Sequence, residues 1–398
     1  MRWRVTSLLL NFAHAIDHLM LLVFATAVSF IAHDFGVGRW EDLMPYTTGA
    51  FLMFGIGSLP SGRLGDLWGR RAMMLVFFFG MGASAILIAL TQNPWQLALA
   101  LSVMGAFASI YHPVGIPMLL RHAQKPGITI GINGMAGNLG IAAAAISTGF
   151  LIQYADWRTA FVVPGLISIG CGLLFMKIAP AEQGAPGKQA VRQIELPPAT
   201  RNRVFLVMTM LAITSSILFN FTTNGNGELL KARLPILIQQ PALLGMLLAI
   251  VYAMSSVSQL AVGRLIDRYP IRNVMLGIIA CQGPAFLLAA FSQGWTFYAA
   301  MVVFMVLVFG SIPFTDAIIA RFVDDSIRSR VSGMRLAVSF GVSSMAVWAL
   351  GPAVKAAGFG FALLVLGAVA ICSFLIAWQL PDEKSIRKAS ELPSPQAA

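Results

Sequence analysis

The chain has 398 residues, of which 58% are apolar types and only 11% charged, with a formal net charge of +11 and a mean hydropathy of +0.78. That little charge cannot cover the surface of a soluble domain of this size, so the composition excludes one and points to a polytopic membrane protein. The positive balance alone would admit a nucleic-acid partner, but the position of the charges argues against one.

A span needs about 20 mostly apolar residues. In chain order such runs fall at roughly 6–32, 43–63, 72–91, 95–120, 128–153, 158–177, 204–224, 241–262, 273–291, 295–320, 331–354 and 358–380, which is about twelve. Backbone polar groups must be satisfied inside lipid, and alternation of period 2 is absent, so the runs are helices and not barrel strands. With a cytoplasmic N-terminus, 22 of the 27 Lys and Arg lie on the inner side. Arg39, Arg158, Lys231, Arg233 and Lys355 remain outside. This bias puts both termini in the cytoplasm and makes the high isoelectric point a matter of topology. The expectation is a multi-pass protein of the cytoplasmic membrane that binds no nucleic acid.

The first run opens with Arg2 and Arg4 before an apolar stretch, as a signal peptide does. The polar residues of "NFAHAIDHLM" interrupt it, so it reads as an uncleaved first span. At about 100° per residue, Ser7, Asn11, His14, Asp17 and His18 share an arc of about 120°. An Asp at the centre of a span costs about 3 kcal/mol on insertion scales, so the stripe must face a cavity or another helix. Asp17 lies about eleven residues in, close to the midplane. Loss of water favours the neutral forms of both carboxyl and imidazole, so Asp17 with His14, three residues apart, could exchange a proton as the water-filled side changes. His18 and, from span 4, His112 are further candidates. The plainer reading is a static hydrogen-bonded pair joining span 1 to its neighbours.

Span 4 carries "SIYHPVGIP", with Tyr111 and His112 ahead of Pro113 and Pro117. Proline frees carbonyls in the preceding turn, and freed carbonyls in a bundle line a cavity or find a polar partner. Span 5 has Gly131, Gly134, Gly137 and Gly140, which permit close helix packing. Span 7 ends in "FNFTTNGNGELLKARLP", which reads as a broken outer half with Asn220 and Asn224 toward a substrate, or else as an early helix end and a plain loop. Span 10 offers Thr315 and Asp316, as substrate contacts or, for Asp316, as a partner for a loop arginine. Asn11 and Tyr111 complete the candidate substrate contacts. Cys171, Cys281 and Cys372 lie in apolar runs without metal-ligand spacing and read as core fillers. No metal and no cofactor is expected.

The chain also repeats itself at an offset of about 200 residues. "GRLGDLWGRRAMML" from Gly62 answers "GRLIDRYPIRNVML" from Gly263, Pro113 answers Pro313, and Arg121 answers Arg321. Between the copies, residues 178–203 are rich in Pro, Gly, Gln and charge and read as a cytoplasmic linker. The expected organisation is an N-terminal six-helix half at 1–177, the linker at 178–203, a C-terminal six-helix half at 204–380 and a cytoplasmic tail at 381–398.

The doubled element resembles the loop between helices 2 and 3 of the major facilitator superfamily. Here it is Gly62, Asp66, Gly69, Arg70 and Arg71, with Gly263, Asp267 and Arg272 kept in the second copy and Pro270 and Ile271 replacing a Gly and an Arg. The resemblance implies the all-α fold of that family: two pseudo-symmetric six-helix halves, with helices 1, 4, 7 and 10 lining a midplane cavity. It also implies that Asp66 and Arg70 form a latch against helix 11. The alternative is that Arg70 and Arg71 serve only as inner-face anchors. "ASIYHPVGIPMLL", the polar first span and "DWRTAF" are most similar to fosmidomycin-resistance-type exporters. An Arg in helix 4 and a Gly-Pro-Gly-Gly type element in helix 5, which many drug antiporters of the family carry, are absent.

The implied function is secondary transport of small organic solutes, as a proton-coupled exporter, with protons, solute and the lipid bilayer as partners and the monomer as the working unit. No nucleotide-binding motif is present, so ATP is not the expected driver. Uptake of a metabolite by the same fold is the alternative. A haem or metal membrane protein using His14, His18 and His112 is an alternative of another class. An enzyme is not expected.

Overall fold

The computed structural model describes residues 2–121, 123–124, 126–180, 198–322 and 325–381. Most of the expected linker (181–197) and the tail beyond Pro381 lie outside the described residues. Those described form an all-α bundle. Ten helices are long and apolar enough to cross a membrane, one of them the 42-residue stretch Ala337–Trp378. Gly358, with φ 74° and ψ 167°, breaks that stretch into two. Thr48–Trp68, 21 residues with Pro60 inside, is of similar length but carries more polar residues. Dividing the long stretch and adding this helix brings the spans among the described residues to twelve.

In chain order they are α1 (Arg2–Asp34), α2 (Thr48–Trp68), α3 (Arg70–Ala89), α4 (Pro94–Ala108, continued by a π-helical turn Tyr111–Gly115 and by Ile116–Leu120), α5 (Pro126–Tyr154), α6 (Trp157–Ile178), α7 (Pro198–Arg233), α8 (Pro241–Arg268), α9 (Ile271–Phe291), α10 (Gly294–Gly310, continued by Pro313–Phe322), α11 (325–357) and α12 (359–378). Short turns are set locally. Asn93 caps α4 by accepting from the Gln96 amide. Asp156 caps α6 by accepting from the Thr159 amide and hydroxyl, which holds its carboxyl below the usual carboxylate range. Gly69, at φ 89°, turns the chain between α2 and α3, a conformation that a side chain would strain.

Each half is clipped shut by one arginine of the repeated element. Arg71, at the start of α3, donates to the carbonyls of Met176 and Ala179 at the end of α6. Arg272, at the start of α9, donates to those of Trp378 and Leu380 at the end of α12. The last carbonyls of a helix have no partner of their own, and a guanidinium fork can take two at once. We expect Arg71→Ala and Arg272→Ala each to lower thermal stability by about 1–3 kcal/mol. Lysine should restore little, because it is a point donor. Unchanged melting of both alanine variants would show that the clips carry no weight.

The halves meet along two seams. In one, α5 packs on α8 so closely that a Cβ at Gly149 would run into the Pro241 carbonyl, and one at Gly245 into that of Ala145. In the other, Gly55 of α2 lies under Phe340 of α11. Further contacts cluster at the end that carries Gly36. The Ser29 hydroxyl of α1 donates to Glu228 of α7. Lys355 pairs with Asp42, and Trp40 stacks on Phe359 with ring centres 5.9 Å apart. Small residues let backbones approach where lipid supplies no hydrophobic drive between helices.

One expectation is overturned here. α7 is neither broken nor short: it runs as regular helix to Arg233. Three of its polar residues turn back onto their own backbone. Thr222 and Thr223 donate to the carbonyls of Leu218 and Phe219, and Asn224 to that of Asn220. The two glycines serve packing, Gly225 against Leu350 and Gly227 toward Ala25.

Candidate functional site

The polar stripe of α1 faces α4 and α5. His14 is 5% exposed, Asp17 and Tyr111 are 0% and Asn133 is 2%, so this is an interior polar cluster and not a lipid-facing one. The π-helical turn at Tyr111–Gly115, with Pro113 inside it, interrupts the regular helix where Tyr111 and His112 are presented. Such turns loosen the backbone ladder and reorient the side chains on it.

Tyr111 and Asn133 knit three helices together. The Tyr111 hydroxyl donates to the Leu10 carbonyl at 2.8 Å. The Asn133 amide donates to the Tyr111 oxygen at 2.6 Å and to Asn11 Oδ1 at 2.9 Å. His14 Nδ1 meets the Asn133 carbonyl at 2.7 Å. The His14 ring stacks on Tyr111, with centroids 4.7 Å apart and an 18° tilt. Room for it exists because residue 137 is glycine: a Cβ there would stand 2.7 Å from the His14 ring.

The histidines converge. His18 Nε2 lies 3.1 Å from His14 Nε2. His112 meets His14 edge-on, with ring centres 5.0 Å apart. His112 Nε2 is 3.8 Å from Asp17 Oδ2. Neither carboxyl oxygen of Asp17 has a hydrogen-bond partner among the described residues. Phe54 of α2 and Phe340 of α11, 4.4 Å apart, pack against His112 from the other side. The ligand atoms of His14, His18 and His112 all lie within 4.8 Å of one another. A transition-metal ion could take such a donor set, but both nitrogens of His14 are already engaged by protein atoms.

The C-terminal half contributes a weaker wall. Asn220 donates to Ser343 of α11 at 2.7 Å. Asn224 Oδ1 is buried and unpartnered among the described residues. Thr315 accepts from Arg335 of α11 at 2.8 Å. The side chain of Asp316 lies outside the described residues. Thus Asn11, His14, Asp17, His18, Tyr111 and His112 come together in one cluster, while Asn220, Asn224 and Thr315 stand on the other half. Gly62, Asp66, Gly69, Arg70, Gly263 and Asp267 sit at the far end of the bundle, with Asp66 and Asp267 exposed on the last turns of α2 and α8. Sequence reasoning missed Asn133, Phe54, Phe340 and Arg335. Only Arg335 carried a signal, as a cation inside an apolar run.

Comparison with known proteins agrees with this architecture. The profile of the Major Facilitator Superfamily matches residues 10–240 and 234–397. The puromycin resistance protein pur8 of Streptomyces alboniger is 30% identical over 130 residues, 31% of this chain and 26% of its own length. The probable actinorhodin transporter of Streptomyces coelicolor is 28% identical over 41% of this chain and 29% of its own. The 4-hydroxybenzoate transporter PcaK of Pseudomonas aeruginosa is 23% identical over 50% and 45%. The chain therefore spans less than half the length of these curated relatives. Among solved structures, a bacterial homolog of the human lysosomal transporter Spinster, inward-facing and unoccupied, superimposes with a TM-score of 0.77 at 13% identity over 99% of both chains. The xylose transporter XylE from E. coli, in an inward open conformation, gives 0.74 at 12% identity over 96% and 97%. With a family profile covering nearly its whole length and this fold, the chain belongs to the Major Facilitator Superfamily.

Proposed function

We propose that the chain is a secondary active transporter that exports small organic solutes across the cytoplasmic membrane by alternating access, in exchange for protons. The observation that carries the reading is Asp17: a fully buried carboxyl at mid-span, 3.8 Å from His112, with no hydrogen-bond partner among the described residues. A structural carboxyl in a bundle is held by donors. One kept without them is suited to taking up and releasing a proton as water reaches it from alternate sides. Asp17, His14, His18 and His112 are the coupling groups in this reading. Asn11, Tyr111, Asn220, Asn224, Thr315 and Asp316 contact the solute.

Export is favoured by the names of relatives such as the tetracenomycin C resistance and export protein of Streptomyces glaucescens, 28% identical over 36% of this chain. The PcaK relative favours the second reading, transport of an organic acid as a metabolite. Within the superfamily we place the chain nearest the fosmidomycin-resistance-type exporters, on "SIYHPVGIP" and the polar first helix. The repeated elements at Gly62 and Gly263 then lie at the cytoplasmic end, where Asp66 and Arg70 form a latch against α11 that holds this face closed. Both termini are cytoplasmic, the linker expected at 178–203 joins the halves, and the monomer is the working unit.

The test uses purified protein in vesicles carrying a pH-sensitive dye, exposed to a panel of antibiotics and aromatic acids. A solute whose addition moves protons, in the direction opposite to itself, supports the reading. Movement in the same direction supports the uptake alternative, and solute flux without proton movement removes the coupling.

A further inference from the structure

We propose that His14, Asp17, His18 and His112 form a binding site for a divalent transition-metal ion of the zinc class, held by three imidazoles and one carboxylate. His14 and His18 stand four apart on α1, the spacing that puts two imidazoles on one helix face and that helical zinc sites use. Their Nε2 atoms lie 3.1 Å apart. Two ligand nitrogens on a tetrahedral zinc ion, each about 2.0–2.1 Å from it, are about 3.3 Å apart. His112 brings a ligand atom to within 4.8 Å of the other two rings', and its Nε2 is 3.8 Å from Asp17 Oδ2. Even the widest of these gaps exceeds the zinc spacing by only about 1.5 Å.

The surroundings are those of a ligand set. A histidine ligand gives its other ring hydrogen to a carbonyl or carboxylate, which fixes the ring and turns the bare nitrogen to the metal. His14 Nδ1 meets the Asn133 carbonyl at 2.7 Å, and a carbonyl only accepts, so in the neutral ring Nε2 is the bare nitrogen. Asn133 is held in turn by its bonds to Tyr111 and Asn11. Asp17 is fully buried, and neither of its oxygens has a hydrogen-bond partner among the described residues. A bound cation gives such a carboxylate its counter-charge.

The contact between His14 and His18 is one that an ion replaces. Only one hydrogen fits between two imidazole nitrogens. It passes by way of water to His18 Nδ1, and any proton on Asp17 goes to water, so the rings bind neutral and the carboxyl binds charged. Arg335 of α11 reaches His112 electrostatically and opposes a cation there. The Asp17 carboxylate, 3.8 Å from the same ring, offsets it. The His112 side chain keeps 19% exposure and packs toward Phe340 of the other half, so an ion enters from between the halves. Imidazole suits zinc, copper and nickel, whereas magnesium and calcium call for oxygen ligands. Under the proton-coupled reading above, an ion held there stops transport, because it occupies all four coupling groups at once.

The experiment uses the full chain, stripped with a chelator and placed in lipid nanodiscs, titrated calorimetrically with zinc and separately with magnesium and calcium. One zinc per chain is expected, and neither magnesium nor calcium. Cobalt(II) in its place should show the strong visible bands of a four-coordinate ion. His18→Gln and His112→Gln should each weaken zinc by more than about a hundredfold, beyond the loss that a second-shell change causes. Asp17→Asn should weaken it about tenfold or more, and keeps the test open should a histidine variant fail to fold. Equal zinc binding in wild type and all three variants means an adventitious ion only and overturns the proposal. So does a wild type that binds no zinc, or that holds cobalt with the weak bands of a six-coordinate ion. In vesicles, zinc should stop solute-linked proton movement and a chelator should restore it. Zinc that binds as expected to a protein moving neither solute nor protons upholds the site and overturns the transport reading instead.

Discussion

Asp17→Asn is expected to abolish uphill, proton-driven transport, by about a hundredfold or more, while leaving the protein folded. The two halves of this expectation have separate physical causes. Transport is lost because asparagine keeps the shape of the side chain but cannot bind and release a proton. Stability is kept because, among the described residues, the carboxyl has no hydrogen-bond partner that the substitution could remove. Its closest ionic neighbour, His112 Nε2, is 3.8 Å away. The thermal midpoint should stay within about 1 kcal/mol of wild type. Exchange of labelled solute at equal pH on both sides should survive, because it needs the cavity and not the gradient. Uphill transport that persists with its pH dependence intact would sink the coupling assignment. A collapse of thermal stability would instead make Asp17 a structural residue.

The stripe on α1 was legible because an Asp and two His on one arc of an apolar helix are too costly to face lipid. Asn133 was not legible, although it sits in a segment already notable for its glycines. Its decisive group is a backbone carbonyl, which every residue has, and only the approach of His14 gives it a role. α7 misled for a related reason. Two glycines among five asparagines and threonines read as a helix ending or breaking by propensity. In the bundle the glycines admit neighbouring helices, and Thr222, Thr223 and Asn224 donate to carbonyls of the preceding turn. Tertiary packing overrides propensity there. The repeated arginines show a third case. The spacing marked Arg71 and Arg272 as special, but their partners are carbonyls more than a hundred residues on. No local pattern announces such partners.

The seal between the halves at the Gly36 end makes a second large effect accessible. Glu228 and Lys231 pair on α7 at 2.8 Å, with side chains 7% and 8% exposed, and the pair reaches α1 through Ser29. Lys231 also lies 5.1 Å over the Phe30 ring. Removing one member of a buried pair leaves the other charge dry and without its counter-ion, with only the Ser29 hydroxyl on Glu228 here, at a cost of about 3–5 kcal/mol. Lys231→Met therefore disfavours the closed seal, where Glu228 is dry, relative to an open one in which water can reach it. The double variant Glu228→Gln with Lys231→Met should restore closure, because two neutral side chains of similar volume carry no such cost. A thiol placed at Ala25, which is buried beside Gly227, reports the opening once Cys171, Cys281 and Cys372 are replaced by serine. Its labelling by a water-soluble maleimide should rise about a hundredfold in Lys231→Met and return toward the starting rate in the double variant. Equal labelling in the single and double variants would mean that the ion pair does not hold the seal, leaving the glycine contacts between α5 and α8 to carry it.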